Sequence, residues 1–265
     1  MVKYKFNTLE DFLISHKLTV DTVLDDGWGA YFPVKGIELE ATILFADISG
    51  FSLRTLNLSP VETLIFVNNF FSWITAEAIK NRPCIVDKYI GDEVMLLFSK
   101  EFGSDDPFLD ALQTARFMVE RDALSYQPHI GIANGKVIAG YVGTPIKYNA
   151  SLFGKPVTFA ARCASVKPKQ MFSSSITFMA ESWHYSNNID EIYPPLEYTS
   201  PDGRKIKKDQ TWELLAPYDV EFKNIGKVKV RSIINKAFWA PMMSAEERAK
   251  KWLDILKKNK MYNPK

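Results

Sequence analysis

Cysteine and histidine are scarce in this chain, at two and three of 265 residues, and the scarcity removes several chemistries at once. Cys84 and Cys163 sit in the apolar stretches RPCIV and AARCAS, where buried reduced thiols are expected rather than a disulfide or a thiolate metal site. Such usage suits a reducing compartment. His16, His129 and His184 are scattered, with no second histidine near any of them to make a metal site. No apolar run approaches the roughly 18 residues of a membrane span, and the opening MVKYKFNTLEDF is too interrupted by polar residues for a signal peptide. The expectation is a cytoplasmic, unanchored protein with no membrane partner. An excess of one charge is missing as well: 33 Lys and Arg oppose 31 Asp and Glu, for a net of +2. Overall balance therefore offers no footprint for nucleic acid or for a strongly acidic partner.

What is present is a hydrophobic share of 46%, 13% of the chain being aromatic, enough for one large domain with short appendages. Residues 1–38 read as an N-terminal appendage, in which a short helical pattern gives way to Gly27, Gly29, Pro33 and Gly36. The main domain is expected over 39–240. A helical tail follows over 241–265, opened by Ser244, its lysine-rich end predicted to be a solvated terminus favourable to the helix dipole.

Within the main domain, Glu40 to Ile48 is a mostly apolar run of strand formers, as in a central strand covered on both faces. Ser59, Pro60 and Glu62 are the N-cap, N1 and N3 of a capped helix whose expected apolar face includes Val61, Leu64, Ile65, Phe71, Ile74 and Ala78. Cys84 to Lys88 and Val94 to Phe98 flank a hairpin tip at Gly91, a second helix spans about 107–121, and Asn134-Gly135 marks another hairpin between 129–133 and 136–141. The order β-α-β-β-α-β-β predicts an α+β fold of the ferredoxin-like βαββαβ kind, an antiparallel palm with helices on one face. A further helix is expected over 154–166, a strand passing into a helix over 170–181, an irregular excursion over 186–210, and strands over 211–215 and 228–240. Asp47 and Asp92 end two strands that this path makes neighbours. A pair of carboxylates so placed suits hard divalent cations, although a turn-capping aspartate would look the same at either position alone.

Four segments, FADISGF (45–51), DKYIGDEVM (87–95), HIGIANGKVIAGYVG (129–143) and FGKPVTFAARCAS (153–165), resemble the successive signature segments of class III adenylyl and guanylyl cyclases in order and spacing, over a core of residues 40–165. The resemblance implies a palm-type catalytic domain that binds two divalent cations per site, Mn²⁺ or Mg²⁺, through Asp47, Asp92 and the carbonyl of Ile48. It implies that the loop Ser49, Gly50, Phe51 and Ser52 wraps a triphosphate through main-chain N–H groups, and that Arg162 stabilises charge on the transferring phosphorus. It also implies a homodimer whose composite sites take the aspartates from one protomer and Lys88, Ser151, Thr158 and Arg162 from the other. Two positions depart from the family pattern. Thr158 stands where an asparagine usually holds the ribose, and Ile225 where some members place a phosphate-binding lysine, leaving Lys223, Lys227 and Lys229 as candidates.

The base-reading positions are Lys88 and Ser151. Lysine in place of the guanylyl cyclases' glutamate disfavours guanine. Together Lys88 and Ser151 suit adenine N1 and N6, and equally the acceptor-rich edge of uracil or cytosine. The stretch Tyr141 to Arg162, with both extensions, is similar to the bacterial pyrimidine cyclases of anti-phage signalling. That closer resemblance implies UTP as the favoured substrate, cyclic UMP as the product, and a separate effector protein as its target; separately, a bulky neighbour of the base-reading positions, Tyr89 or Phe153, is expected to narrow the pocket against a purine. An adenylyl cyclase, and a degenerate cyclase fold acting as a binding module, are the competing readings.

Overall fold

A computed structural model of the protein describes residues 5–22, 34–78, 80, 82–122, 126–144, 146–167, 175–182, 197–199, 203, 205–207, 212–235 and 244–259. The chain runs α1 (Leu9–Ile14), β1 (Val20–Thr22), β2 (Val34–Asp47), α2 (Phe51–Thr55), α3 (Pro60–Trp73, continued by a π-helical turn to Ala78), β3 (Ile85–Ile90), β4 (Glu93–Phe98), α4 (Pro107–Glu120), β5 (His129–Thr144), β6 (Lys147–Phe153), α5 (Lys155–Ala164) and β7 (Ser175–Met179). It continues with β8 (Glu197–Thr199), β9 (Lys205–Lys207), β10 (Trp212–Leu214), β11 (Tyr218–Phe222), β12 (Gly226–Asn235) and α6 (Ala245–Lys258). Most of the expected excursion over 186–210 lies outside the described residues, as does the end of the strand expected to reach Ala240.

One sheet carries the order β10-β12-β7-β5-β2-β4-β3, with β1, β11 and β6 added at its margins. One end of it, β5-β2-β4-β3, is the palm that the βαββαβ order predicts, every pair antiparallel. The β5–β7 pair is parallel. β2 is central because it is apolar on both sides: Leu44 and Ala46 enter one core, Ile43 and Phe45 the other. The two helices of that order, α3 and α4, pack on one face as expected. α3, α4 and α6 cover the first core, while α1 and α5 cover the second, as the two-sided burial of β2 demands.

Asn134-Gly135 does not turn the chain. Residues 129–144 form one strand of 16 residues, because β2 extends far enough to pair Thr42 with Asn134 and Ala41 with Gly135. A ladder of that length outweighs the local turn preference of the dipeptide. The turn comes later, between β5 and β6, where Thr144 pairs with Lys147. The Ser59 capping box is present, but the buried face of α3 is Phe66, Phe70 and Ile74, while Val61 and Leu64 stay exposed. The last helix is more than a solvated end: Ala249, Trp252, Leu253 and Leu256 are buried in the first core, an apolar stripe at helical spacing beneath a charged face. Among the described residues no helix is long and apolar enough to cross a membrane.

Candidate functional site

Asp47 closes β2 and Asp92 sits in the turn between β3 and β4, so the β2–β4 pairing brings the two carboxylates together. They share a hydrogen bond, and the Asp47 carboxyl is pushed up to about 8 by burial first, then by the Asp92 bond and charge, then by Glu93, which faces it across the ladder. The Ile48 N–H donates to Asp47 and offsets part of this. Among the described residues, the charged groups that bear on Asp47 are acidic. Among the described residues no three His, Cys, Asp or Glu converge, so a cation between these two carboxylates would complete its shell with main-chain, phosphate or water oxygens. The Ile48 carbonyl accepts from Phe51 N–H at 3.2 Å and keeps a second lone pair.

Between Asp47 and α2 the chain turns on Gly50, whose φ of 64° is left-handed and suits glycine. A side chain there would meet nothing within 4 Å, so the outer side of the loop Ser49, Gly50, Phe51, Ser52 is open to a ligand. Beneath it, Arg54 is 1% exposed and its Nε donates to the Ser49 carbonyl at 2.7 Å.

A second cluster forms on the other side of β3. The pairing of β3 with β4 slips between Val86 and Lys88, and this bulge re-aims the following side chains. Lys88 Nζ then donates to Ser151 Oγ at 2.7 Å and lies 3.0 Å from Asp87 Oδ2. The structure thus brings both base-reading candidates into contact, from β3 and β6. The Asp87 carboxyl is almost fully buried, and burial raises its pKa while Lys88 opposes the rise. Tyr89 does not flank this pair: its ring packs 4.1 Å from that of Phe71 on α3, on the opposite side of the sheet, as alternation along a strand requires. Phe153 is two residues beyond Ser151 on the same face and is half-exposed.

α5 presses its backbone onto β5 at Gly131, where a Cβ would collide with the Ala160 carbonyl and the Ala164 N. Phe159, Ala160, Cys163 and Ala164 are buried by that contact, leaving Thr158 exposed and Arg162 one turn on along the helix. Arg162 lines a cavity of about 620 Å³ between α5 and β11, together with Lys167, Tyr218, Asp219, Glu221 and Lys223. Of the three lysine candidates, Lys223 is the one on this cavity. Lys229 is 3.7 Å from Asp219, and Lys227 faces Glu221 in the β11–β12 register.

Sequence reasoning missed Arg54, Asp87 and Lys167. Asp87 adjoins Lys88 within a signature segment and was within reach; Arg54 lies in FSLRTL, where nothing local marks an arginine as buried.

Residues 36–180, more than half of the chain, match the family described as the adenylate and guanylate cyclase catalytic domain. An uncharacterized protein of Mycobacterium tuberculosis is 30% identical over 183 residues, covering 64% of this chain and 33% of its own length. The chain spans about a third or less of the length of the curated relatives it matches. Among solved structures, a bacterial light-regulated adenylyl cyclase aligns with a TM-score of 0.54 at 22% identity, over 81% of this chain and 98% of that one. A guanylate cyclase domain from Catenaria anguillulae, solved in complex with GTP, gives 0.53 at 17%, over 75% and 98%. At such identities the likeness is one of fold.

Proposed function

Because the chain belongs to the adenylate and guanylate cyclase catalytic domain family, we propose that it is a nucleotidyl cyclase that converts UTP to 3′,5′-cyclic UMP and pyrophosphate. In this reaction the ribose 3′-oxygen forms a bond to the α-phosphorus, the bond from that phosphorus to the β-bridging oxygen breaks, and the 3′-hydroxyl proton leaves to solvent. The observation that carries the reading is the Asp47–Asp92 apposition. Two apposed carboxylates, with acidic groups as the charged neighbours that bear on Asp47 among the described residues, are well suited to divalent cations, two per site in this proposal, Mn²⁺ or Mg²⁺. Such cations, when bound, supply Lewis acidity at the phosphates and neutralise the leaving pyrophosphate.

The chain's own groups do the rest. Asp47, Asp92 and the Ile48 carbonyl hold the cations, and the N–H groups of the Ser49 to Ser52 loop receive phosphate oxygens. Arg162 spreads its charge over the transferring phosphorus, Thr158 bonds the ribose, and Lys223, on the Arg162 cavity, takes the role of the missing lysine for the terminal phosphates. Lys88 and Ser151 present donors to the carbonyl edge of uracil. Within one chain the walls of the Arg162 cavity include neither Asp47 nor Asp92. That separation supports a homodimer in which each site joins the aspartates of one protomer to the cations of its partner. The cyclic product then acts on a separate effector in anti-phage defence.

The test is incubation of the purified protein with each nucleoside triphosphate and Mn²⁺, with products identified by mass spectrometry. Cyclic UMP as the main product is expected. Cyclic AMP as the main product replaces UTP with ATP in this reading, and no product from any triphosphate rejects catalysis in favour of a binding module.

A further inference from the structure

Arg54 is among the largest fully buried side chains of the protein, at 1% exposure on the five-residue helix α2. Burying a guanidinium is costly unless its donors are used, and an aliphatic side chain would fill the same space, so packing alone does not account for an arginine here. Its Nε donates to the Ser49 carbonyl at 2.7 Å, and its main-chain N–H donates to the Gly50 carbonyl at 3.0 Å. The Arg54 charge is also felt at His129, which faces Asp47 across the β2–β5 ladder, and at Tyr126 in the core behind.

The Ser49–Gly50 peptide is trans. In a trans peptide the C=O and the following N–H point in opposite directions. A carbonyl drawn inward by Arg54 therefore turns the Gly50 N–H outward, to the side where a Cβ on Gly50 would meet nothing within 4 Å.

We propose that Arg54 is a positioning residue of the nucleotide site, whose guanidinium sets the Ser49–Gly50 peptide so that the Gly50 N–H faces the triphosphate. The proposal rests on the reading that this loop receives phosphate. Arg54 touches no substrate. It acts through the Ser49 carbonyl, and its buried charge adds to the attraction for an anion on the far side of the loop.

The experiment compares the full-length protein with Arg54→Met, Arg54→Gln and Arg54→Lys, recording thermal unfolding, KM and kcat for the preferred triphosphate, and pyrophosphate affinity in Mn²⁺ by calorimetry. Arg54→Met is expected to raise KM and weaken pyrophosphate binding roughly ten- to hundredfold, as loss of a charge-assisted bond at a buried carbonyl implies. Arg54→Lys keeps a charged donor and is expected to recover most of that loss. If Arg54→Met does not fold, Arg54→Gln, which keeps a donor without charge, carries the comparison with Arg54→Lys. A purely structural role would lower the melting temperature and the active fraction while leaving KM and pyrophosphate affinity unchanged, and that result overturns the proposal. So does an Arg54→Lys protein no better than the neutral variants. A wild-type protein that neither turns over any triphosphate nor binds pyrophosphate rejects the reading of the site itself, which is a different failure from wild-type activity untouched by the loss of Arg54.

Discussion

The carboxylate end of β2 and the α5–β11 cavity differ in charge, the first acidic and the second mixed with an excess of cations. At the first, Asp47 has Asp92 and Glu93 for neighbours, and its proton is held up to about 8. At the second, Arg162, Lys167 and Lys223 outnumber Asp219 and Glu221 on one cavity, and Lys229 lies 3.7 Å from Asp219. Two such clusters within one chain would ordinarily neutralise each other in ion pairs. Here the fold keeps the aspartate pair and the Arg162 cavity on different elements, and under the proposed function the first would take cations and the second, with its cationic excess, phosphates.

The comparison breaks most visibly at the carboxylates. Asp47→Ala or Asp92→Ala should leave the fold intact and reduce turnover by a thousandfold or more, roughly 4 kcal/mol of barrier, since a phosphoryl transfer without its cations lacks neutralisation of the leaving group. Quantified cyclic product per folded protein measures this; substantial product from either variant removes both aspartates from the cation role.

On the cationic side, Arg162→Ala should lose roughly 10²–10³ in kcat, the scale of a donor aimed at developing charge. Mixing it with Asp47→Ala sharpens the contrast. Random exchange makes about half the dimers mixed, each with one intact site of two, so about a quarter of wild-type activity should return. Mixed samples that exchange subunits yet stay inactive would place both clusters in a single-chain site.

The two regions were unequally legible in the sequence. Asp47 and Asp92 could be read because strand-ending carboxylates in FADISGF and YIGDEVM stand out from apolar surroundings. Lys88 and Ser151 came from register with the family, and their 2.7 Å contact depends on a bulge at Val86 that no local pattern announces. Asn134-Gly135 misled because turn chemistry is local while the β2 ladder that overrides it is not. Trp252 was hidden by the charged face of AEERAKKWLDILKK, and β11, which walls the Arg162 cavity, has too mixed a pattern in YDVEF to be read as a strand. The paired carboxylates are set by chain-local motifs, whereas the Arg162 cavity is made by long-range packing of α5 against β11.

A smaller effect separates base reading from phosphate chemistry. Competition among equal concentrations of the four triphosphates should favour cyclic UMP, with cyclic GMP least, because Lys88 presents a donor where guanine also presents donors. Ser151→Asp would place a carboxylate beside Lys88 and accept from an exocyclic amino group. It should move the product ratio toward cyclic AMP by roughly tenfold, with little change in total rate at saturating substrate. An unchanged ratio would remove Ser151 from base recognition while leaving the carboxylate and arginine assignments standing.

The smallest expected effect is on stability, and it isolates the acidic end. The Asp47 carboxyl is raised from 3.8 to about 8 in the folded protein, so between these values the native state holds a proton that the unfolded chain has released. Stability from this group is fully present below about pH 4 and is lost as pH rises toward and through 8. Buried His129 titrates in the opposite sense, its pKa lowered by burial from an ordinary 6.5, and it is neutral in both states above that value. The window from pH 7 to 8.5 therefore reports mainly on Asp47. In chelator, melting temperature should fall across that window, with a slope below the roughly 1.4 kcal/mol per pH unit of one whole proton because solvent screens a partly buried pair. Saturating Mn²⁺ should flatten or reverse the slope, since a cation displaces the proton and binds more tightly as pH rises. Asp47→Asn should flatten it without metal. A wild-type slope in chelator that Asp47→Asn leaves untouched would show that the two carboxylates do not share a proton, and the charge contrast between the two regions would lose its acidic half.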